Sequence, residues 1–149
     1  MNGPTYVYET IIGASAERIW TALTNAEFTQ RYFHCTGVDS DWQIGSAVIY
    51  RNVDGSPAVE GEVLESNPPK RLLISWRPLY NPEMAAEPPS RVCFEIEPLG
   101  EVQRLRITHD GFESGSAVYE QVRHGWSAII CSLKTLLETG QALPLAGNE

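Results

Sequence analysis

The chain predicts an α+β fold in which a curved antiparallel sheet wraps round a long C-terminal helix. Three observations predict it. Tyr119, Val122, Trp126, Ile129, Ile130, Leu133, Leu136 and Leu137 recur at helical spacing and fall within one apolar arc at ~100° per residue. Strand after strand, punctuated by turns, fills the region before them. Two short helical segments separate the first strand from the others. Glu120, Gln121, His124, Cys131, Thr135 and Glu138 lie opposite the apolar arc, so the last helix has one wet face and one buried face. A sheet must cover it, and the space between sheet and helix is where a ligand site is expected.

Taken in order, Thr5 to Gly13 alternates about Val7 and Ile11 and reads as the opening strand. Ser15 stands at a helix N-cap with Glu17 in the first turn, ahead of Ile19, Trp20 and Leu23, predicting a helix over Ala16 to Thr24. Phe28 and Tyr32, one turn apart, predict a second over Ala26 to Tyr32. Strands follow at Ser46 to Asn52, Ala58 to Ser66, Arg71 to Arg77, Ser90 to Glu97 and Gln103 to Asp110, with a weaker one near Val38 to Trp42. Asp54-Gly55, Asn67-Pro68-Pro69 and Leu99-Gly100 supply the turns. Loops this short join antiparallel neighbours, so the sheet is a meander.

Alternation then assigns faces. Val92, Phe94 and Ile96 point inward, with Arg91, Cys93, Glu95 and Glu97 outward. Leu105, Ile107 and His109 form the next inward set; Leu72, Ile74 and Trp76, and Val59, Gly61 and Val63, form two more. Ser46 to Asn52 has mixed residues on both faces and takes no assignment.

At 149 residues the chain fits a single domain, 1–149, with its core over about 6–140. Hydrophobic content of 42% and charged content of 20% suit a globular protein. The net charge is −8, and the lysines are Lys70 and Lys134. An anionic surface repels phosphate backbones and anionic lipid, which speaks against nucleic acid and membrane partners. Cys35, Cys93 and Cys131 are far apart with no CxxC pair, which fits reduced thiols rather than a disulfide framework or a metal site. The N-terminus has neither a basic start nor an apolar stretch of signal-peptide length, so a cytoplasmic location is expected.

The motif order also carries a resemblance. Ser15-Ala16-Glu17-Arg18-Ile19-Trp20, Asp41-Trp42-Gln43-Ile44-Gly45, Gly61-Glu62-Val63-Leu64-Glu65 running into Pro68-Pro69-Lys70-Arg71-Leu72, Ser75-Trp76, Arg104 to His109 before Gly111-Phe112, and Gly125-Trp126 with Leu133-Lys134 and Leu137-Glu138-Thr139-Gly140 together resemble one group. It is the stand-alone bacterial relatives of the C-terminal domain of the heat-shock-protein-90 ATPase activator, AHSA-type members of the START-like or SRPBCC superfamily. The resemblance implies a helix-grip fold, also called Bet v-like. The superfamily spans lipid carriers, hormone and allergen-type binders and polyketide cyclases. It implies binding of a small hydrophobic or lipid-like ligand, with a cyclase-like enzyme or a chaperone-associated interaction module as alternatives, by a monomer or homodimer and without metal or cofactor. The full activator contacts its chaperone through a further N-terminal domain, so this chain alone is not expected to stimulate ATP hydrolysis. Gln43-Ile44-Gly45-Ser46 departs from relatives that carry a second glycine there.

Inward phase and helical arc together nominate Val63, Ile74, Trp76, Tyr80, Phe94, Ile107, His109, Val122, Trp126 and Ile129 as cavity-lining candidates. Trp126 reads as core or as a cavity wall. His109 reads as a ligand anchor, as a general base, or as a partner of local backbone. His124 belongs to the solvent face. His34 and Cys35 are adjacent, and neighbours in extended chain point apart, which disfavours a metal pair. Pro78 to Pro89, with Tyr80 and Met84, reads as a semi-rigid flap over the cavity mouth or as a plain crossover. Nothing forms a nucleophile elbow, phosphate loop, zinc motif or dinucleotide fingerprint, so no catalytic residue is nominated.

Overall fold

The computed structural model describes residues 3–144. Its elements are β1 (Tyr6–Ile12), α1 (Ala16–Thr24), α2 (Ala26–Tyr32), β2 (Gly37–Asp39), β3 (Ala47–Arg51), β4 (Pro57–Asn67), β5 (Arg71–Pro78), α3 (Pro82–Ala85), β6 (Ser90–Leu99), β7 (Val102–Asp110), α4 (Ala117–Val122) and α5 (Trp126–Thr139). One seven-stranded antiparallel sheet runs in the order β1-β7-β6-β5-β4-β3-β2, with α5 gripped in its concave face. This is an α+β helix-grip fold. The meander from β2 to β7 has one non-sequential neighbour, β1, which returns to pair with β7 from Tyr6 opposite His109 to Ile12 opposite Gln103.

Local chemistry explains the first helices. Ser15 caps α1 by accepting the Arg18 N–H at 3.2 Å, and Asn25 ends α1 while its side chain accepts the Glu27 N–H to start α2. Ile19, Ala22 and Leu23 bury one face of α1 against the sheet. A Cβ on Gly61 would lie 1.9 Å from the Ser75 carbonyl oxygen, so only glycine lets β4 approach β5 this closely. The pairing register slips between Val63 and Glu65 just beyond it.

The inward sets on β5, β6 and β7 are buried as alternation predicts, and β3 adds Val48 and Tyr50, which alternation left unassigned. The outer face carries a ladder of ion pairs, Glu9–Arg106, Arg104–Glu97, Arg71–Glu95 and Arg91–Asp110, all partly exposed and therefore individually weak. Cys93 lies in the outward phase among these side chains yet is only 7% exposed, and burial raises its thiol pKa to about 11.

Four readings are corrected or completed. The C-terminal segment is two helices, not one. Between them His124 N–H bonds to Gln121 O and Gly125 N–H to Val122 O, i to i−3 contacts that tighten the chain at Arg123–Gly125, where glycine is the weakest helix former short of proline. The apolar phase survives the break, since Val122, Trp126, Ile129, Ile130, Leu133, Leu136 and Leu137 are all buried. Cys131, assigned to the wet face, is half-buried with its Sγ 3.3 Å from the Tyr8 hydroxyl. On β1, Val7 and Ile11 face outward, at 53% and 47% exposure, while Tyr6, Tyr8, Thr10 and Ile12 face the helices. Last, His34 and Cys35 are not extended; both hold left-handed backbone, with φ of 52° and 62°.

Candidate functional site

A cavity of about 330 Å³ opens where the curled end of the sheet meets the α4–α5 break. The connection from α2 to β2 contributes Phe33, His34 and Thr36; the sheet contributes Asn52, Ala58, Val59, Trp76 and Tyr80. Gln121, Val122, Gly125, Trp126 and Ile129 close the other side. Gly125, at the break, lines the space without a side chain to fill it.

Phe33 is placed by tight local bonding. Its N–H donates to Thr29 O at 2.7 Å, and its own carbonyl accepts from both Thr36 N–H at 2.9 Å and Thr36 Oγ1 at 2.6 Å. That closed turn holds His34 and Cys35 in left-handed backbone, a conformation uncommon outside glycine and one that His, like Asn and Asp, adopts more readily than Cys. Desolvation at the rim lowers the His34 pKa, so its imidazole is neutral at pH 7.

Three aromatic rings meet at the cavity floor. Trp76 and Trp126 centroids are 5.4 Å apart, Phe33 lies 5.9 Å from Trp76, and Phe33 meets Trp126 edge-on at 5.8 Å. Behind them a buried chain of hydrogen bonds links the two tryptophans. The Trp126 Nε1–H donates to His109 Nδ1 at 3.0 Å, which leaves the proton on His109 Nε2. That Nε2–H reaches Ser90 Oγ at 2.7 Å, and the Ser90 hydroxyl donates onward to the Trp76 carbonyl at 3.3 Å. His109 is fully buried, and desolvation lowers its pKa to about 3. It is a neutral structural bridge at any physiological pH.

Of the residues nominated from sequence, Trp76, Tyr80, Val122, Trp126 and Ile129 come together round the cavity. Val63, Ile74, Phe94 and Ile107 do not line it; they pack in the core behind the rings. His109 also lies off the cavity, with both ring nitrogens engaged. Phe33, Thr36, Asn52, Ala58 and Gln121 were not nominated. Phe33 was readable as the apolar residue just beyond α2, whereas Asn52 and Gln121 sit in polar stretches that carry no signal. Pro78 to Pro89 includes α3, capped by Asn81, with Met84 buried beneath it. Its Glu87 carboxylate accepts from Ser116 Oγ at 2.6 Å and Ala117 N–H at 2.7 Å, pinning the segment to the start of α4.

Among the described residues, no group of three or more His, Cys, Asp or Glu is placed to hold a metal ion, and no helix is long and apolar enough to cross a membrane. No curated protein matches the chain. Several solved structures share its fold. Protein MLL2253 of Mesorhizobium loti is 25% identical with a TM-score of 0.77, over 91% of this chain and 97% of its own. The Aha1 dimer of Colwellia psychrerythraea is 19% identical at 0.75, over 93% and 99%. DynU16, a protein of the dynemicin biosynthetic locus, is 21% identical at 0.74, over 93% of this chain and 48% of its own. Residues 13–138 match the family described as Activator of Hsp90 ATPase homolog 1-like protein, and the chain belongs to that family.

Proposed function

We propose that this protein binds a small apolar ligand in the cavity between the curled end of its sheet and α5. The observation that carries the reading is a space of about 330 Å³ floored by Phe33, Trp76 and Trp126 and flanked by Val59, Val122 and Ile129. Both size and apolar character fall in the range of small-molecule sites, ~300–1,000 Å³. The catalytic reading of His109 has no support in the geometry, because neither ring nitrogen faces the cavity. His109 instead sets the tilt of the Trp126 indole.

Titration with the uncharged, environment-sensitive dye Nile red tests the proposal. Wild type should give a saturable signal, and Trp126→Ala should weaken both dye binding and stability, the latter by ~3–5 kcal/mol. Ala58→Leu, which extends a lining side chain into the space, should weaken dye binding with little loss of fold. A folded wild type without saturable signal removes the basis of the reading.

The family match favours a second reading, contact with a chaperone of the Hsp90 class. Chaperone ATP hydrolysis measured with and without the chain tests it. Several-fold stimulation would put this reading first, and an unchanged rate would leave the cavity reading ahead. The Colwellia relative is a dimer; for this chain monomer and homodimer both remain compatible with an open cavity.

A further inference from the structure

Charge at the cavity wall says what kind of molecule can enter. Among the described residues that line it, none is Asp, Glu, Lys or Arg. The arginines next to lining positions in the chain are all committed elsewhere. Arg51, beside Asn52, bonds to Asp39 and to the Gly55 carbonyl. Arg77, beside Trp76, bonds to Glu60 and to the Ala85 carbonyl. Arg123, beside Val122, pairs with Glu120 and stacks over Tyr119. An anion inside would therefore lose its water and gain no counter-charge, a cost of several kcal/mol.

A cation fares little better. The net charge of −8 draws cations toward the surface, but no carboxylate lines the space to receive one. Ring faces attract a cation, but by less than desolvating it costs.

Size and polarity narrow the class further. An engineered apolar cavity of ~150 Å³ accepts benzene, and about 330 Å³ here is roughly twice that. The rim supplies hydrogen-bonding capacity without charge. The Asn52 amide N–H bonds to Ser56 Oγ, leaving its carbonyl as an acceptor, and the Gln121 amide makes no hydrogen bond among the described residues.

We infer that the occupant is an uncharged molecule about the size of two fused aromatic rings, with one hydrogen-bonding group held at the rim by Asn52 and Gln121. This rests on the reading of the cavity as a binding site. The experiment is a set of titrations of the full chain, followed by tryptophan fluorescence and calorimetry at pH 7.5. The probes are 2-naphthol, naphthalene, 2-naphthoate, 2-naphthylmethyl-trimethylammonium and 1-hydroxypyrene, with Nile red as a reference for the cavity. 2-Naphthol should bind saturably, at least tenfold more tightly than either ion and several-fold more tightly than naphthalene or 1-hydroxypyrene. Ala58→Leu should weaken it, and Val122→Phe serves if that variant does not fold. Either ion binding within threefold of 2-naphthol overturns the charge rule, and 1-hydroxypyrene binding more tightly overturns the size. Naphthalene binding as tightly as 2-naphthol overturns the rim contact. If Nile red binds and none of the naphthyl probes does, this inference fails alone. If Nile red does not bind either, the cavity reading itself falls with it.

Discussion

The hydrogen-bonded bridge between the two tryptophans makes His109→Phe the most informative single perturbation. Phenylalanine keeps most of the ring volume beside Phe112, whose centroid is 4.5 Å away, and Trp76 at 6.0 Å, so little cavity opens. The loss is polar. Trp126, 2% exposed, is left with an indole N–H that has no acceptor, and a stranded buried donor costs about 1–3 kcal/mol. Ser90 loses an incoming bond but still donates to the Trp76 carbonyl. At ~2–4 °C per kcal/mol for a chain of this size, the melting temperature should fall by about 2–12 °C. Trp126→Phe alone strands His109 Nδ1 instead, while the double variant strands neither group. Urea unfolding of all four proteins, followed by circular dichroism, should therefore show the double variant less destabilised than the sum of the singles, by about 1 kcal/mol or more. Additivity within ~0.5 kcal/mol would refute the reasoning, since contacting residues that share a hydrogen bond must couple.

The same residue predicts a pH dependence. An unfolded histidine binds its proton near pH ~6.5, but native His109 resists protonation until about pH 3, so the stability it contributes is complete above pH 6.5 and lost as pH falls toward 3. Unfolding free energies from urea titration at pH 6.5 and 5.0 should differ by up to about 2 kcal/mol more in wild type than in His109→Phe, and equal differences would count against the bridge. Gly61→Ala forces a Cβ onto the Ser75 carbonyl and should destabilise by at least ~1–3 kcal/mol, as overpacking does; a neutral outcome in thermal unfolding would show that β4 need not approach β5 so closely. Glu87→Ala removes both acceptors from the start of α4 and should cost about 1–2 kcal/mol, the low end for bonds to a half-exposed charge. Hydrogen exchange should then quicken over Ala117–Val122 and not over Trp126–Thr139, and uniform protection would argue that Glu87 does not hold α4.

What the sequence discloses is local. The bounds of α1 and α2 were readable because Ser15 and Asn25 are capping residues with apolar spacing behind them. The central strands were readable because each has one unambiguous apolar phase. Edge strand β1 was readable as a strand but its inward face was not, because both its phases are partly apolar, Val7 and Ile11 against Tyr6, Tyr8 and Ile12. Contact with α5 decides between them through the Tyr8 hydroxyl at Cys131, and no periodicity reports such a contact. The α4–α5 break escaped for a related reason. Val122 and Trp126 keep the helical phase across it, so only the cost of Gly125 marked the place, and a single glycine inside a periodic segment is a weak signal.

The cavity residues sort along the same line. Alternation tells which face a side chain takes; it does not tell whether the space beyond that face is filled. His109 was correctly placed in the inward phase of β7, and the conclusion that it faces a ligand failed to follow because Trp126 occupies that space. A fully buried imidazole needs one acceptor and one donor partner. On β6 and β7, where the inward residues other than Ser90, Gln103 and His109 are apolar, those partners must come from the few polar groups sharing the interior. Ser90 is one, in phase with Val92 and Phe94 on β6, and the Trp126 indole is the other, at the centre of the α5 arc. Ser90 and the Trp126 indole were thus complements of His109 before any ligand is considered, whereas Gln103, in the same phase of β7, keeps a buried amide oxygen with no hydrogen bond among the described residues. The inward phase did select the apolar lining at Trp76, Val122, Trp126 and Ile129; the lining amides it did not select, Asn52 and Gln121, stand at the ends of elements, where the chain turns and no period constrains the side chain.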